Sequence, residues 1–364
     1  MRLIAGTAIA VLLSVLPVWA QDAGARSGTQ GEDAARASTT SSTNSDGSAT
    51  SSSSSIGGGG PVGITPRSRE PVGDNAETIL DRRADIRVDT TLVQIPVSVT
   101  LASTGKLVTG LAVDNFELKE DGDEQEIISF FSGDAPLSVG VVFDASGSMG
   151  DKLSRSREAV KQFLRTANPQ DEFFLVNFND RPELSVPFTN DSAEIISRLS
   201  FVQSKGRTAL LDGVYLAMNE MKKARNGRKA ILIISDGGDN SSRYTEREVK
   251  NAVREADVQI YAIGIFETYG LRSRTPEEFA GPGLLNELTE QTGGRHFAIG
   301  NLAELPDVAA KIGLELRNEY ILGYRPTNED RDGKYRKVEV KLVNTKGLPR
   351  LRSRSRRGYY APAE

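Results

Sequence analysis

The 364 residues include 45 Lys plus Arg, 49 Asp plus Glu, one His, one Trp and no Cys, with 38% hydrophobic residues and 35 Gly. That length suits about two domains, at roughly 100–200 residues each, and allows a sizeable core. The absent Cys excludes disulfides, thiolate metal sites and cysteine nucleophiles; the single His excludes a multi-His metal site within one chain, and a net charge of −4 gives no footing for nucleic acid as the main partner.

Residues 1–20 read as a secretory signal peptide: a basic start at Arg2, an apolar run at 3–16, and Val18-Trp19-Ala20 as a cleavage site before Gln21. An uncleaved signal anchor is the other reading of that run and would be the chain's membrane attachment. No second run approaches spanning length, so the remainder is expected to be exported as a periplasmic, cell-surface or secreted protein. Residues 21–76 are Ser-, Thr- and Gly-rich and bury too little apolar surface to offset chain entropy, which makes them a disordered linker. As a flexible coil they would span roughly 40 Å.

Order is expected from near Ile86. Val93, Ile95, Val97, Val99 and Leu101 alternate with polar residues over nine positions, the pattern of a half-buried strand, and Pro96 suggests an edge. Phe116 and Leu118 alternate again, and Asp121-Gly122 signals a hairpin leading into 127–131. Residues 86–133 thus form the first part of a β module. From 136 to 318 the pattern changes. The run at 139–143 is continuously apolar, as in a strand buried on both faces of a parallel sheet. A helical segment follows at 153–164. Strands are expected at 173–178, 184–188, 230–235, 259–265 and 295–299, with helices at 193–199, 209–224, 246–256, 284–292 and 302–318. Alternating strands and helices predict a doubly wound, mostly parallel α/β domain. Residues 319–361 return to β character, with strands at 320–324 and around Val338, Val340 and Leu342. Both β segments together suggest one β-sandwich interrupted by the α/β domain; two unrelated flanking hairpins would give the same pattern.

The chemistry gathers after 139–143. Asp144, Ser146 and Ser148 leave a strand tip at i, i+2 and i+4, with small residues between them. Gly206-Arg207-Thr208 opens a helix, and Ser235-Asp236-Gly237 closes another buried strand. In a doubly wound sheet these strand ends can be neighbours, and ligands bind there. The three segments supply only oxygen donors, which suit Mg2+, Mn2+ or Ca2+.

These residues resemble the metal-ion-dependent adhesion site of the von Willebrand factor type A domain. Its pattern is Asp-x-Ser-x-Ser, a Thr about sixty residues later, and an Asp in a Thr/Ser-Asp-Gly run; here those positions are Asp144, Ser146, Ser148, Thr208 and Asp236. The resemblance covers 136–318. The flanks, Val108-Thr109-Gly110-Leu111, the run 116–122 and Gly358-Tyr359-Tyr360, are similar to those of a bacterial exported subgroup. The resemblance implies a Rossmann-like fold and a metal-dependent adhesion module that completes the coordination of Mg2+, or of Mn2+ or Ca2+, with an Asp or Glu carboxylate of a protein or peptide partner. The alternative is a structural or assembly factor of the envelope in which metal only stabilises or is absent.

No enzyme is expected. A phosphatase of the Asp-x-Asp kind needs an acid where Ser146 stands, and a serine nucleophile would need His296, which reads as a structural residue. Asp151 and the pair Asp239-Asn240 fall near the candidate metal residues, where an adjacent cation site is one reading; they read rather as solvated surface acids, or at Asp151 as a helix N-cap. The calcium-loop spacing of Asn328, Asp330, Asp332 and Glu339 lies between strand patterns and reads as a hairpin turn. The alternating arginines at 350–356 read as the solvated face of an edge strand. Residues 267–283 form a long insert after a sheet strand, the kind of loop that carries partner specificity.

Overall fold

The computed structural model describes residues 92–266 and 276–363, all within one of the chain's two units, Arg83–Glu364. The leader at 1–20, the linker at 21–76, the start of order near Ile86 and the first part of the insert, 267–275, lie outside the described residues.

Four strands come first. In β1 (Val93–Leu101) the alternation gives way to burial on both faces, since Ser98 and Thr100 are covered as well as Val97 and Val99. A buried polar residue needs a partner, and Ser98 Oγ donates to Glu315 Oε1 at 2.7 Å. β2 (Phe116–Glu120) turns at Asp121 and Gly122, both at positive φ, into β3 (Asp123–Gln125). The expected hairpin therefore closes on 123–125 and not on 127–131. Its pairing ends after three residues, and β4 (Ile127–Ser132) crosses into the other sheet.

The central layer follows. β5 (Leu137–Asp144) is buried at every position. After it come α1 (Leu153–Leu164), β6 (Glu172–Phe178), β7 (Pro182–Thr189), α2 (Ser192–Phe201), α3 (Leu210–Met221), β8 (Arg228–Ser235), α4 (Glu246–Glu255), β9 (Gln259–Ile265), α5 (Pro276–Gln291), β10 (His296–Ile299) and α6 (Leu305–Arg317). The sheet runs β10-β9-β8-β5-β6-β7, parallel except for the antiparallel edge strand β7. Continuous apolar strands are what this arrangement demands, because helices cover both faces. Val139, Val141 and Phe143 meet Ala159, Phe163, Ile195 and Ile312 of α1, α2 and α6. On the opposite face Val142, Ile231 and Ile233 meet Val214, Val249, Val253 and Leu285 of α3, α4 and α5. Strand order reverses between β5 and β8, so the crevice at their carboxyl ends is the switch point of the sheet. Local signals set the helix ends: Thr245 and Glu248 form a capping box at the start of α4. α5 begins eight residues before the periodicity expected, because Pro276 suits a first helical turn and Gly281, Pro282 and Gly283 mask the apolar spacing.

The chain then returns through β11 (Tyr320–Tyr324), β12 (Tyr335–Leu342), β13 (Leu351–Ser355) and β14 (Gly358–Tyr360). β11 lies between β1 and β4, and the two antiparallel sheets, β13-β1-β11-β4 and β14-β12-β2-β3, each mix strands from before and after the central layer. Ile95, Val97, Phe116, Leu118, Leu322, Tyr324 and Val338 fill the space between them. The strand that leaves for the central layer and the strand that returns from it are thus hydrogen-bonded neighbours, as an insertion into a sandwich requires.

Three local expectations change. β1 is an inner strand, but β13 pairs with it only from Val97 onward, so Pro96 needs no donor on that side. β13 is an edge strand, yet Arg356 is not solvated: it donates to Asp257 Oδ1 at 2.6 Å and to the Gln94 carbonyl at 3.2 Å. The loop between β11 and β12 is not the hairpin turn expected, since the two strands lie in different sheets; it is a crossover in which Arg336 takes the carbonyls of Asn328 and Asp330.

His296 pairs with Ala262 across β10 and β9 and stands edge-on to Phe266, their ring centroids 5.7 Å apart. Its Nε2 is buried without a hydrogen-bond partner among the described residues, in place of the satisfied histidine expected. Burial holds its pKa below the usual 6.5. The neutral ring therefore contributes stability that is complete above pH 6.5 and declines as the pH falls toward the folded-state pKa. As the chain has one His, a single imidazole NMR signal should titrate below 6.5; a midpoint at or above 6.5 would contradict this packing.

Candidate functional site

Three loops meet at the carboxyl ends of β5 and β8. Asp144 is the last residue of β5 and is fully buried. Its Oδ1 accepts the Ser146 N–H at 2.9 Å, and its Oδ2 accepts the Ser235 hydroxyl at 2.5 Å. Ser235 ends β8, so the carboxylate ties the two strands across the switch point. Burial, with the charge of Asp236 beside it, pushes the Asp144 carboxyl up to about 7. The Ser146 and Ser148 hydroxyls lie 3.1 Å apart, Ser146 buried and Ser148 exposed.

Thr208 reaches the same place because its loop is pinned to the first one. Gly147 N–H donates to the Gly206 carbonyl at 3.0 Å, Lys205 N–H to the Ala145 carbonyl at 2.9 Å, and Ser204 Oγ to the Ser146 carbonyl at 2.6 Å. Gly206 is required there: it sits at φ +78°, and a Cβ would fall 2.4 Å from Asp180 Oδ2. The third loop is fastened to Thr208 in turn. Asn240 N–H donates to the Thr208 carbonyl at 3.0 Å, and Asn240 Oδ1 accepts the Thr208 N–H at 2.9 Å. Asp236 is 5% exposed; its Oδ2 accepts from Lys152 Nζ at 3.1 Å, and its Oδ1 has no hydrogen-bond partner among the described residues.

The five residues singled out from the sequence, Asp144, Ser146, Ser148, Thr208 and Asp236, therefore lie on three mutually fastened loops. Several supporting residues had no sequence signal. Ser235 stands in the quoted Ser-Asp-Gly run, but nothing in that run says its hydroxyl turns back to Asp144. Lys152 follows Asp144 by eight residues, a spacing no rule marks. Asn240 is exposed, but Asp239 is half-buried and engaged: its Oδ1 accepts the Ser242 hydroxyl at 2.5 Å and the Leu211 N–H at 3.2 Å, tying the third loop to the start of α3. Asp151 is exposed and does not cap α1, whose cap position is Lys152. No group of three or more His, Cys, Asp or Glu side chains converges among the described residues, so a cation here would rely on hydroxyls as well as carboxylates.

Residues 139–238 match the von Willebrand factor type A domain family. This segment is a type A domain. Its match runs from Val139 within β5 to Gly238 and so includes all five residues. An uncharacterised protein of Borreliella burgdorferi is 26% identical over 188 residues, covering 46% of this chain and 55% of its own length. The inter-alpha-trypsin inhibitor heavy chain H4 of Homo sapiens is 30% identical over 134 residues, 33% of this chain and 14% of that protein. The chain thus spans about half of the first relative and a small part of the second. Among solved structures, a von Willebrand factor type A protein from Catenulispora acidiphila is 14% identical, with a TM-score of 0.42, covering 74% of this chain and 75% of the other. The vWF domain of the type V pili tip protein Mfa5 from Porphyromonas gingivalis is 15% identical, with a TM-score of 0.40, covering 51% of this chain and 97% of that one.

The link between the strands of the type A domain can be tested by removing one hydroxyl. Ser235→Ala leaves Asp144 Oδ2 without its donor in a buried site, which should cost about 1–3 kcal/mol of stability. Urea unfolding should show a lowered midpoint with an unchanged slope; a wild-type midpoint would contradict the assignment.

Proposed function

We propose that the type A domain holds a divalent cation on Asp144, Ser146, Ser148, Thr208 and Asp236, and that the chain is an exported, metal-dependent protein-binding module. The observation that carries this reading is Asp236 Oδ1, a buried carboxylate oxygen with no partner at the tip where the three loops converge. A buried charged oxygen left unpaired is costly unless something occupies it. The donors around it are all oxygen, which fits Mg2+, or Mn2+ or Ca2+, and fits no soft metal.

Each residue has a part in this reading. The hydroxyls of Ser146, Ser148 and Thr208 are neutral donors. Asp144 is already engaged by Ser146 and Ser235, so it orients the loop and neighbouring donors. Asp236 offers one oxygen. A bound divalent ion would supply an electropositive open position that accepts a carboxylate from an Asp or Glu of a protein or peptide partner. The rim favours the same ligand: Lys205, Arg207 and Arg181 are exposed and form no ion pair among the described residues. Phe201, 76% exposed at the end of α2 in the segment that leads to Thr208, adds an apolar contact. Hydrolysis finds no support, since the Ser146 and Ser148 hydroxyls bond each other and neither bonds His296. Export is supported by the composition of residues 1–20. No helix among the described residues is long and apolar enough to cross a membrane.

One observation favours the second reading, an envelope structural or assembly factor in which metal only stabilises or is absent: the Lys152 ammonium already neutralises part of Asp236. Capture separates the two. With Mg2+ at a hundredfold excess over Kd, the chelator-treated protein should gain about 2.7 kcal/mol of stability. Capture of an envelope partner should be lost on chelation and in Asp144→Ala, with circular dichroism showing the fold retained. Capture that survives both would leave only the structural role.

A further inference from the structure

Lys152 stands where local rules disfavour it. It occupies the cap position of α1 without a side-chain cap, and a cation at a helix N-terminus opposes the helix dipole. Its backbone is fixed on both sides: its N–H donates to the Met149 carbonyl at 3.0 Å, and its carbonyl accepts the Ser156 N–H at 2.9 Å and the Ser156 hydroxyl at 3.0 Å. The side chain is therefore anchored a few bonds from the site, 15% exposed, with Nζ 3.1 Å from Asp236 Oδ2. A residue that breaks a local rule and is held in place against it marks a functional constraint. Its target divides in two. Oδ2 of Asp236 is taken by the ammonium, while Oδ1 of the same carboxylate is buried and has no partner among the described residues.

We propose that Lys152 is the built-in counter-cation of the site: it keeps Oδ2 of Asp236, leaves Oδ1 for the divalent ion, and so sets how tightly that ion is held. The inference rests on the metal reading above. Two carboxylates without a cation would repel each other across a buried tip, so the ammonium keeps the loops together before loading. The same fixed charge opposes the incoming ion, lowers its affinity and leaves the loaded site more electropositive toward an anionic ligand. A Lys does this better than an Arg, because its compact ammonium occupies one oxygen and cannot span both in a bidentate fork.

The test titrates Mg2+ alone, and Mn2+ alone, into chelator-treated full-length protein by calorimetry. Two neutral variants are compared: Lys152→Met, which keeps the apolar stem, and Lys152→Gln, which can still donate to Oδ2. Both should bind the ion about tenfold more tightly than the wild type, through loss of a like charge close to it. Without metal, both should unfold at a lower temperature than the wild type, and saturating Mg2+ should close most of that gap. Unchanged or weaker affinity in variants that circular dichroism shows to be folded would overturn the role of Lys152 while leaving the metal site standing. Absence of any binding by the wild type would remove the metal reading and this inference with it.

Discussion

The carboxylate of Asp144 is the point on which the site's architecture depends. It is wholly buried and placed at the one gap in the sheet where strand order reverses. It is tolerable there only because the Ser146 amide and the Ser235 hydroxyl both turn to it. Those two bonds do more than satisfy a buried acid. One curls the loop after β5 back on itself, bringing the Ser146 and Ser148 hydroxyls together, and the other ties the end of β5 to the end of β8. The remaining loops are then assembled by hydrogen bonds to main-chain groups, from 204–206 onto the first loop and from Asn240 onto Thr208. The geometry is carried mainly by main-chain groups on rigid strand ends, the preorganised support a binding site needs.

The junction with the β-sandwich holds that sheet from below. Arg317, at the end of α6, donates to Asp134 and Asp171, and Arg228, at the start of β8, to Glu319, so the ion pairs cluster where the chain leaves and re-enters the sandwich. Glu319 is fully buried, and burial raises its carboxyl even though Arg228 and Gln259 bond it. Ser98 and Tyr261 both contact Glu315, joining β1 of the sandwich, β9 of the sheet and α6. Buried ionic groups of this kind contribute little net stability but fix one arrangement of parts against others. The sandwich is thereby a base seated on the sheet in one orientation, with the proposed metal tip at the other end of its strands.

Much of this was legible because it rests on short-range signals. The buried runs at 139–143 and 230–235 and the alternation of helices and strands declared a parallel sheet, and the five oxygen-bearing residues stood at the predicted strand and helix ends. What was not legible depends on tertiary contact. Alternation in β1 suggested one polar face, but Ser98 and Thr100 on that face are buried, and Ser98 becomes a donor to Glu315 of α6. The hairpin after β2 closes on only three residues because the next strand belongs to the opposite sheet, a choice that no turn residue announces. Arg356, just after β13, looked solvated until packing brought Asp257 and the Gln94 carbonyl to it. Ser235 and Lys152 were invisible as site residues for the same reason: each acts through a partner far away in sequence.

The central claim is that these loops form a cation site from Asp, Ser and Thr oxygens. Electron paramagnetic resonance of Mn2+ added to chelator-treated full-length protein tests it most directly, because free Mn2+ gives a sharp six-line signal that disappears when the ion is bound. The account predicts loss of that signal up to one ion per chain in the wild type, and its persistence when Thr208 and Asp236 are both replaced by Ala in a protein that remains folded. A signal that persists in the wild type, or vanishes equally in that double variant, would contradict the account.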